Sequence, residues 1–148
     1  MAVYTKFVKR NIQEILSNYS LGELNSYEGI QEGIENTNYF LLVNNKKYIL
    51  TVYEKRVKPL DLPFFSKLMT GLNEENFKCP APVMNNQKKA ITDYKNKKMM
   101  IVTFLDGKAK KILTPQNCKL VGTEVAKMHK ITKDFNIERQ NDLSIKSW

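Results

Sequence analysis

The centre of the sequence reads NYFLLVNNKKYILTVYE over residues 38–54 and has the pattern of a β-hairpin. Two runs rich in β-branched and aromatic residues, 38–43 and 47–54, flank Asn44 and Asn45. Asparagine tolerates the positive φ angles that a tight two-residue turn requires. The stretch therefore predicts two antiparallel strands, and the segments around it predict the rest of the sheet.

A helix and a further strand are predicted upstream of this hairpin. Residues 6–19 carry an apolar stripe at helical spacing, with Thr5 as the expected N-cap and Gly22 just past the end. The stripe comprises Phe7, Val8, Ile12, Ile15, Leu16 and Tyr19. Residues 24–30 then have strand-like composition and run towards the hairpin.

Downstream, residues 61–73 predict a helix with Asp61 as its preferred N-cap and Pro63 in its first turn. Its expected buried face comprises Phe64, Phe65, Leu68, Met69 and Leu72. Residues 79–82 (CPAP) must be extended, because proline disfavours helical geometry in the residue before it. Strands follow at 88–93 and 98–105, joined by a turn at 94–97.

A third helix is predicted to open at Thr114 and Pro115, an N-cap residue followed by proline in the first helical position. A buried stripe is expected along it at Cys118, Val121, Val125 and Met128, and the pattern fades after Ile131. The order is α+β: five antiparallel strands with a helix inserted after the third. That is the pattern of a kinase N-lobe. Residues 1–107 would form this lobe with its hinge, and residues 108–148 a connector, the first C-lobe helix and a linker.

Composition narrows the classes of partner. The net charge is +9, yet only three of the 24 basic residues are arginine, and the 21 lysines are spread along the chain. Dispersed lysine without clustered aromatic residues disfavours nucleic-acid binding. No run of 18 apolar residues predicts a membrane span, and two cysteines predict neither a disulfide framework nor a metal site. A cytoplasmic protein is expected.

Two segments could carry a binding function. GIQEGIENTNYF, residues 29–40, supplies two glycines and several turn-tolerant residues, so that backbone amides could approach phosphates. Residues 100–107, MIVTFLDG, form an apolar strand running into a turn, which in a kinase is the hinge that binds adenine. Taken alone, the first segment is more often an ordinary hairpin loop and the second an ordinary buried strand.

Taken together, these segments resemble the homoserine kinases of the aminoglycoside-phosphotransferase-like superfamily. The resemblance rests on an ordered set: EGIENTN at 32–38, YILTVYEKRV at 48–57, DLPFF at 61–65, CPAPV at 79–83 and IVTFLDG at 101–107. Asp134, Phe135, Arg139, Asn141, Leu143 and Trp148 continue it to the last residue. It covers nearly the whole chain, whereas full-length members of that family are about twice as long.

The resemblance implies transfer of the γ-phosphate of ATP to the hydroxyl of L-homoserine, a step of threonine biosynthesis, with ATP and Mg²⁺ as cofactors. It implies three groups of nucleotide-binding residues. They are Gly33, Asn36, Thr37 and Asn38 in the loop, Ile49 and Thr51 on the third strand, and Thr103, Phe104 and Leu105 in the hinge.

Residues 1–148 lack two features of kinases. Protein kinases place a phosphate-binding lysine on the third strand, where this sequence has Thr51, as the homoserine kinases that it resembles do; Lys55 lies about 13 Å further along the strand. A His-x-Asp-x-x-x-x-Asn loop is absent. His129, the only histidine, is expected at a helix terminus rather than as a catalytic base. Asp134-Phe135-Asn136 resembles the magnesium-binding Asp-Phe-Gly of kinases only superficially, because no catalytic loop precedes it. We therefore expect neither catalytic residues nor metal ligands in this chain, and no turnover by it alone.

Two other interpretations stay open. A kinase acting on another small alcohol or an aminoglycoside would share the same lobe. Alternatively, the lobe could be a non-catalytic protein that binds a nucleotide or a partner. In that case the surface expected to face a C-lobe would be exposed, and it could mediate self-association.

Overall fold

The structure contains one five-stranded antiparallel sheet whose centre is the predicted hairpin. The computed structural model describes residues 3–54, 57–142 and 144–145. The strands are β1 (Leu24–Ile30), β2 (Thr37–Val43), β3 (Lys46–Val52), β4 (Ile91–Tyr94) and β5 (Lys97–Thr103), in the spatial order β1-β2-β3-β5-β4. The predicted fold class is confirmed.

The hairpin turn fixes the register of the sheet. Asn44 and Asn45 have φ angles of 47° and 59°, the left-handed values of a type I′ turn. The turn pairs Val43 with Lys46, and the register then brings Asn38 opposite Thr51. A similar turn at Lys95 and Asn96 joins β4 to β5. β4 begins at Ile91 rather than 88, because a turn over residues 85–89 is held by the Asn85 side chain.

One sheet face packs on the first helix, α1 (Lys9–Leu16). Ile12, Ile15 and Leu16 are buried there against alternate residues of the sheet, which include Leu41, Val43, Leu50, Val52 and Ile101. Each fully buried aliphatic side chain contributes about 1.5–3 kcal/mol relative to an exposed one, so this face holds the domain together.

α1 is shorter than the predicted 6–19 helix. Thr5 does not cap it, because its hydroxyl donates to Glu54 Oε1 at 2.6 Å. Asn11 instead accepts a hydrogen bond from the Val8 amide, and Val8 lies exposed rather than in the apolar stripe. Both predictions, the Thr5 cap and the buried Val8, are wrong.

The second helix, α2 (Leu62–Glu74), follows a 3₁₀ turn over Pro59–Asp61. Leu62, Ser66 and Leu72 are buried, whereas Phe64, Phe65, Leu68 and Met69 of the predicted face are only half-buried. Asp61 occupies the N-cap position without a capping hydrogen bond, because its carboxylate pairs with Arg139 at 2.8 Å. The predicted capping role of Asp61 is therefore wrong.

The third helix, α3 (Pro115–Thr132), begins as predicted, with Thr114 accepting a hydrogen bond from the Asn117 amide. Its predicted buried stripe is wrong: Val121 is 62% exposed, Val125 is 41% exposed, and Cys118 is exposed as well. Met128 is half-buried. The helix is amphipathic, and α2 makes a small contact with it but leaves most of its apolar face exposed. None of the described helices meets the length and hydropathy that a membrane span requires.

The chain after α3 returns to α2. Phe135 lies over Gly71, and the Arg139 guanidinium lies 5.3 Å from the centre of the Phe65 ring while pairing with Asp61. Leu143 and Trp148, which the family resemblance includes, lie outside the described residues.

The Phe135 contact depends on the absence of a side chain at Gly71. A Cβ there would lie 2.7 Å from two ring atoms of Phe135. We expect Gly71→Ala to lower the free energy of unfolding by about 1–3 kcal/mol through overpacking, as measured by urea denaturation.

The matched control is Gly122→Ala, in exposed α3, where no atom lies within 4 Å of the added Cβ. That change should stabilise the helix by about 0.5–1 kcal/mol. Equal effects of the two substitutions would show that Phe135 does not pack on α2.

Candidate functional site

The sheet face opposite α1 is only half-buried and forms the candidate site. Alternation along the strands brings six side chains onto it, and we call them the open face: Ile30, Asn38, Phe40, Ile49, Thr51 and Val102. They are cross-strand neighbours on four of the five strands. Most are apolar, with two polar side chains at the end nearest the 31–36 loop.

The two polar side chains bind each other. The Thr51 hydroxyl donates to Asn38 Oδ1 at 2.8 Å. This bond uses the oxygen of the Asn38 amide and leaves its NH₂ group without an acceptor among the described residues. Thr51, the predicted counterpart of the lysine of protein kinases, is thus a neutral hydrogen-bonding group. It can hydrogen-bond a phosphate but cannot neutralise one.

The opposite end of the open face is aromatic. Phe104, just beyond β5, meets Phe40 edge-on with 5.5 Å between ring centres. Lys47 lies 5.5 Å from the centre of the Phe104 ring and pairs with Asp106 at 2.5 Å. Leu105 is exposed, and its amide has no acceptor among the described residues. An apolar wall beside the Leu105 amide suits a planar heteroaromatic ring, whereas the amides of Thr103 and Phe104 already donate to the carbonyls of Ala81 and Lys47.

The loop over residues 31–36 joins β1 to β2 beside the Asn38–Thr51 pair. Gly33 has a φ of 119°, which side-chain-bearing residues rarely adopt. Gly33 and its neighbours are exposed, whereas Asn36 accepts a hydrogen bond from the Glu54 amide at 3.4 Å. The loop can therefore present amide groups to an anion while Asn36 anchors its far end.

Two of the predicted site residues direct their side chains away from the open face. Thr37 is fully buried, and its hydroxyl donates to Glu54 and accepts from the amides of Tyr4 and Thr5. The Thr103 hydroxyl accepts from the Ala81 amide at 2.9 Å. Strand alternation is the reason, since each is out of phase with the open face. Only their backbones remain for a ligand.

Glu54 joins three parts of the chain, and we call Glu54, Thr5, Thr37 and Lys97 the Glu54 junction. One carboxylate oxygen accepts from both threonine hydroxyls, at 2.6 and 2.8 Å, and the other binds the Lys97 ammonium. Burial alone would raise the pKa of Glu54. The hydrogen bonds from Lys97, Thr5 and Thr37 outweigh burial and lower that pKa below its ordinary value.

The other candidates from the sequence lie outside this site. His129 is exposed in the last turn of α3, as the helix-terminal prediction requires. Lys55 lies outside the described residues. Within residues 3–54, 57–142 and 144–145, no three His, Cys, Asp or Glu side chains converge to hold a metal ion.

Sequence reasoning missed Ile30, Phe40 and Val102 on the open face and Glu54 behind it. Phe40 could have been found by alternation from Asn38 along the same strand. Ile30 required the pairing of β1 with β2, and Val102 required that of β3 with β5. Glu54 required the path of the amino terminus, and none of these three is encoded locally.

The fold and the site define a class. A sheet of this order, with a helix after the third strand and a glycine loop over one end, has the architecture of the N-lobe of a kinase-like phosphotransferase. The sequence profile of the phosphotransferase enzyme family (APH) matches residues 26–144, so the chain belongs to that family. The family resemblance drawn from the ordered motifs is confirmed.

Three comparisons describe the closeness of the relationship. The chain is 40% identical over its 148 residues to a homoserine kinase of Bartonella tribocorum and 43% identical to one of Bradyrhizobium diazoefficiens. It spans 46% and 45% of their lengths, less than half of each. A spectinomycin phosphotransferase, solved with ADP and spectinomycin, superposes with a TM-score of 0.68 at 15% identity, covering 93% of this chain and 44% of that one.

The lowered pKa of Glu54 makes the free energy of unfolding depend on pH in the acidic range. A carboxyl group with a lowered folded-state pKa stabilises the fold fully above its ordinary value of 4.5, and this contribution is lost as the pH falls through the lowered pKa. We expect Glu54→Gln to lower the free energy of unfolding at neutral pH by about 1–3 kcal/mol and to flatten its decline in acid.

Denaturant titrations at several pH values measure both effects. The control is Glu124→Gln, which removes an exposed carboxylate paired with Lys127 on α3 and should change stability by less than about 1 kcal/mol. An unchanged acid slope in Glu54→Gln would contradict the junction as described.

Proposed function

We propose that this chain is the ATP-binding part of a homoserine kinase, which transfers the γ-phosphate of ATP to the hydroxyl of L-homoserine. The observation that carries the proposal is the open face: an apolar, aromatic surface ending in the Asn38–Thr51 pair beside the loop around Gly33. The identity of 40–43% to homoserine kinases over the full 148 residues supports the choice of substrate.

Each part of the open face has a role in this proposal. Ile49, Val102 and Phe104 supply the apolar contacts for adenine, and the Leu105 amide donates a hydrogen bond to its edge. The amides around Gly33 and the Asn38 NH₂ group donate to the phosphates, while Thr51 holds the Asn38 amide in orientation. The solved relative that contains ADP supports a nucleotide as the ligand of this fold.

The open face lacks the positive charge that phosphoryl transfer requires. Phosphoryl transfer depends on cations at the phosphates and on a base at the attacking hydroxyl. Thr51 and Asn38 are neutral, and among the described residues no three His, Cys, Asp or Glu side chains converge. Mg²⁺ would accompany the nucleotide with protein ligands from outside these residues. We therefore expect residues 1–148 alone to bind ATP without transferring its phosphate.

A second candidate rests on α3. Its apolar face, which includes Leu120, Val121 and Val125, is exposed, and exposed apolar patches of this kind mediate association. A lobe that only binds a partner through α3 would show no nucleotide dependence in the experiments below.

Thermal denaturation with Mg·ATP tests the nucleotide site. ATP at 100 times its Kd should stabilise the chain by about 2.7 kcal/mol and raise the Tm. Thr51→Val should weaken ATP binding about threefold to tenfold, because the Asn38 amide loses the bond that orients it.

The matched control is Thr123→Val, which also loses a hydroxyl hydrogen bond, to the Lys119 carbonyl, but on exposed α3. It should bind ATP like the unaltered chain. A chain without any ATP-dependent shift, or equal weakening in both variants, would contradict the assignment of the open face.

A chimera tests the substrate. Residues 1–148 would be joined to the carboxy-terminal remainder of the Bradyrhizobium diazoefficiens homoserine kinase, and ADP release would be measured with L-homoserine or spectinomycin. We expect release that depends on L-homoserine, with Thr51→Val raising the KM for ATP more than the KM for homoserine. A folded chimera that binds ATP without homoserine-dependent release would refute the homoserine kinase proposal.

A further inference from the structure

The amino-terminal segment, residues 3–5, lies directly behind the 31–36 loop. The Tyr4 hydroxyl donates to the Ile34 carbonyl at 2.7 Å, and the Tyr4 amide donates to Thr37 Oγ1 at 2.9 Å. One residue therefore contacts both the middle of the loop and the first residue of β2. These contacts span about 30 positions in sequence, so the loop does not make them by itself.

The Glu54 junction fixes the same segment from the other side. The Thr5 hydroxyl and the Thr37 hydroxyl share Glu54 Oε1, while the Glu54 amide donates to Asn36 Oδ1. The loop is thus bound at Ile34, Asn36 and Thr37. The Glu54 side chain is 11% exposed, so its hydrogen bonds are sheltered from water.

The packing of residues 3–5 against the sheet depends on a glycine of β1. A Cβ at Gly29 would lie 3.1 Å from a methyl carbon of Val3, closer than ordinary van der Waals contact. Gly29 precedes the loop by two residues. The absence of a side chain at Gly29, just before the loop, therefore allows the amino-terminal segment to pack against the sheet.

Holding a loop at several points affects ligand affinity. A loop rich in glycine and asparagine loses much conformational freedom when it closes on an anion, and fixing it beforehand reduces that loss. Tyr4 itself is 56% exposed and lies outside the buried core. Its hydroxyl contributes to the position of the loop more than to the stability of the domain.

We propose that residues 3–5 are a positioning element for the phosphate-binding loop, and that the Tyr4 hydroxyl sets the affinity for the nucleotide phosphates through the Ile34 carbonyl. The inference rests on the proposed function for the identity of the ligand. Tyr4 is a positioning residue, since it acts through the loop rather than on the nucleotide.

Comparing the affinities for ATP and for adenosine separates an effect on the phosphate-binding loop from an effect on the whole domain. Adenosine uses the hinge and the apolar wall, whereas ATP also uses the loop. In the 148-residue chain, Tyr4→Phe should weaken ATP binding about twofold to tenfold and leave adenosine binding and the Tm nearly unchanged. Hydrogen exchange in the ligand-free chain should show faster exchange of the amides in residues 33–37.

The control is Tyr19→Phe, which removes a buried hydroxyl bonded to Thr92 at 2.6 Å, remote from the loop. It should lower the Tm more than Tyr4→Phe does and keep the ratio of ATP to adenosine affinity. An unchanged ratio and unchanged exchange in Tyr4→Phe would overturn the positioning role, even where the unaltered chain binds ATP. Failure of the unaltered chain to bind either ligand would overturn the proposed function, and the exchange comparison would then decide the positioning role alone.

Discussion

The register set by the Asn44–Asn45 turn is the constraint on which the rest of the structure depends. Side chains alternate across a strand, so a slip of one residue between β2 and β3 would exchange their two faces. With the observed pairing, Leu41 and Leu50 are buried under α1, while Asn38 meets Thr51 on the opposite face. One turn of two asparagines thereby separates the surface that stabilises the domain from the surface available to a ligand.

Thr37 connects the buried face of the sheet to the 31–36 loop. This residue opens β2 immediately after the loop, and strand alternation points its hydroxyl towards the amino terminus and Glu54. Asn38, the next residue, points to the open face. The loop therefore leads into a strand whose first residue, Thr37, anchors it and whose second residue, Asn38, lies on the open face. Two adjacent residues thus serve stability and the proposed phosphate contact.

The sequence predicted the elements that have local causes. The turn chemistry of Asn44 and Asn45, the Thr114–Pro115 helix start and the alternation of β2 follow from neighbouring residues, and the ordered motifs pointed to the family. Three predictions were wrong: the Thr5 cap, the Asp61 cap and the buried stripe of α3. Each depends on whether a residue distant in sequence packs against or bonds to the predicted group, and local sequence does not encode this. Thr5 binds Glu54, Asp61 binds Arg139, and most of the apolar face of α3 is exposed. Ile49, Thr51, Asn38 and Phe104 meet on one surface as a kinase site would require, whereas the side chains of Thr37 and Thr103 do not.

The central claim is that the open face and the 31–36 loop together form one nucleotide site. Backbone amide chemical shifts of the ¹⁵N-labelled chain, followed during titration with Mg·ADP, test it most directly. The account predicts saturable shifts at Gly33, Asn38, Thr51 and Leu105, with little change along the exposed face of α3. Shifts confined to α3 or to the groove between α2 and residues 134–137, or no saturable shifts at all, would contradict it.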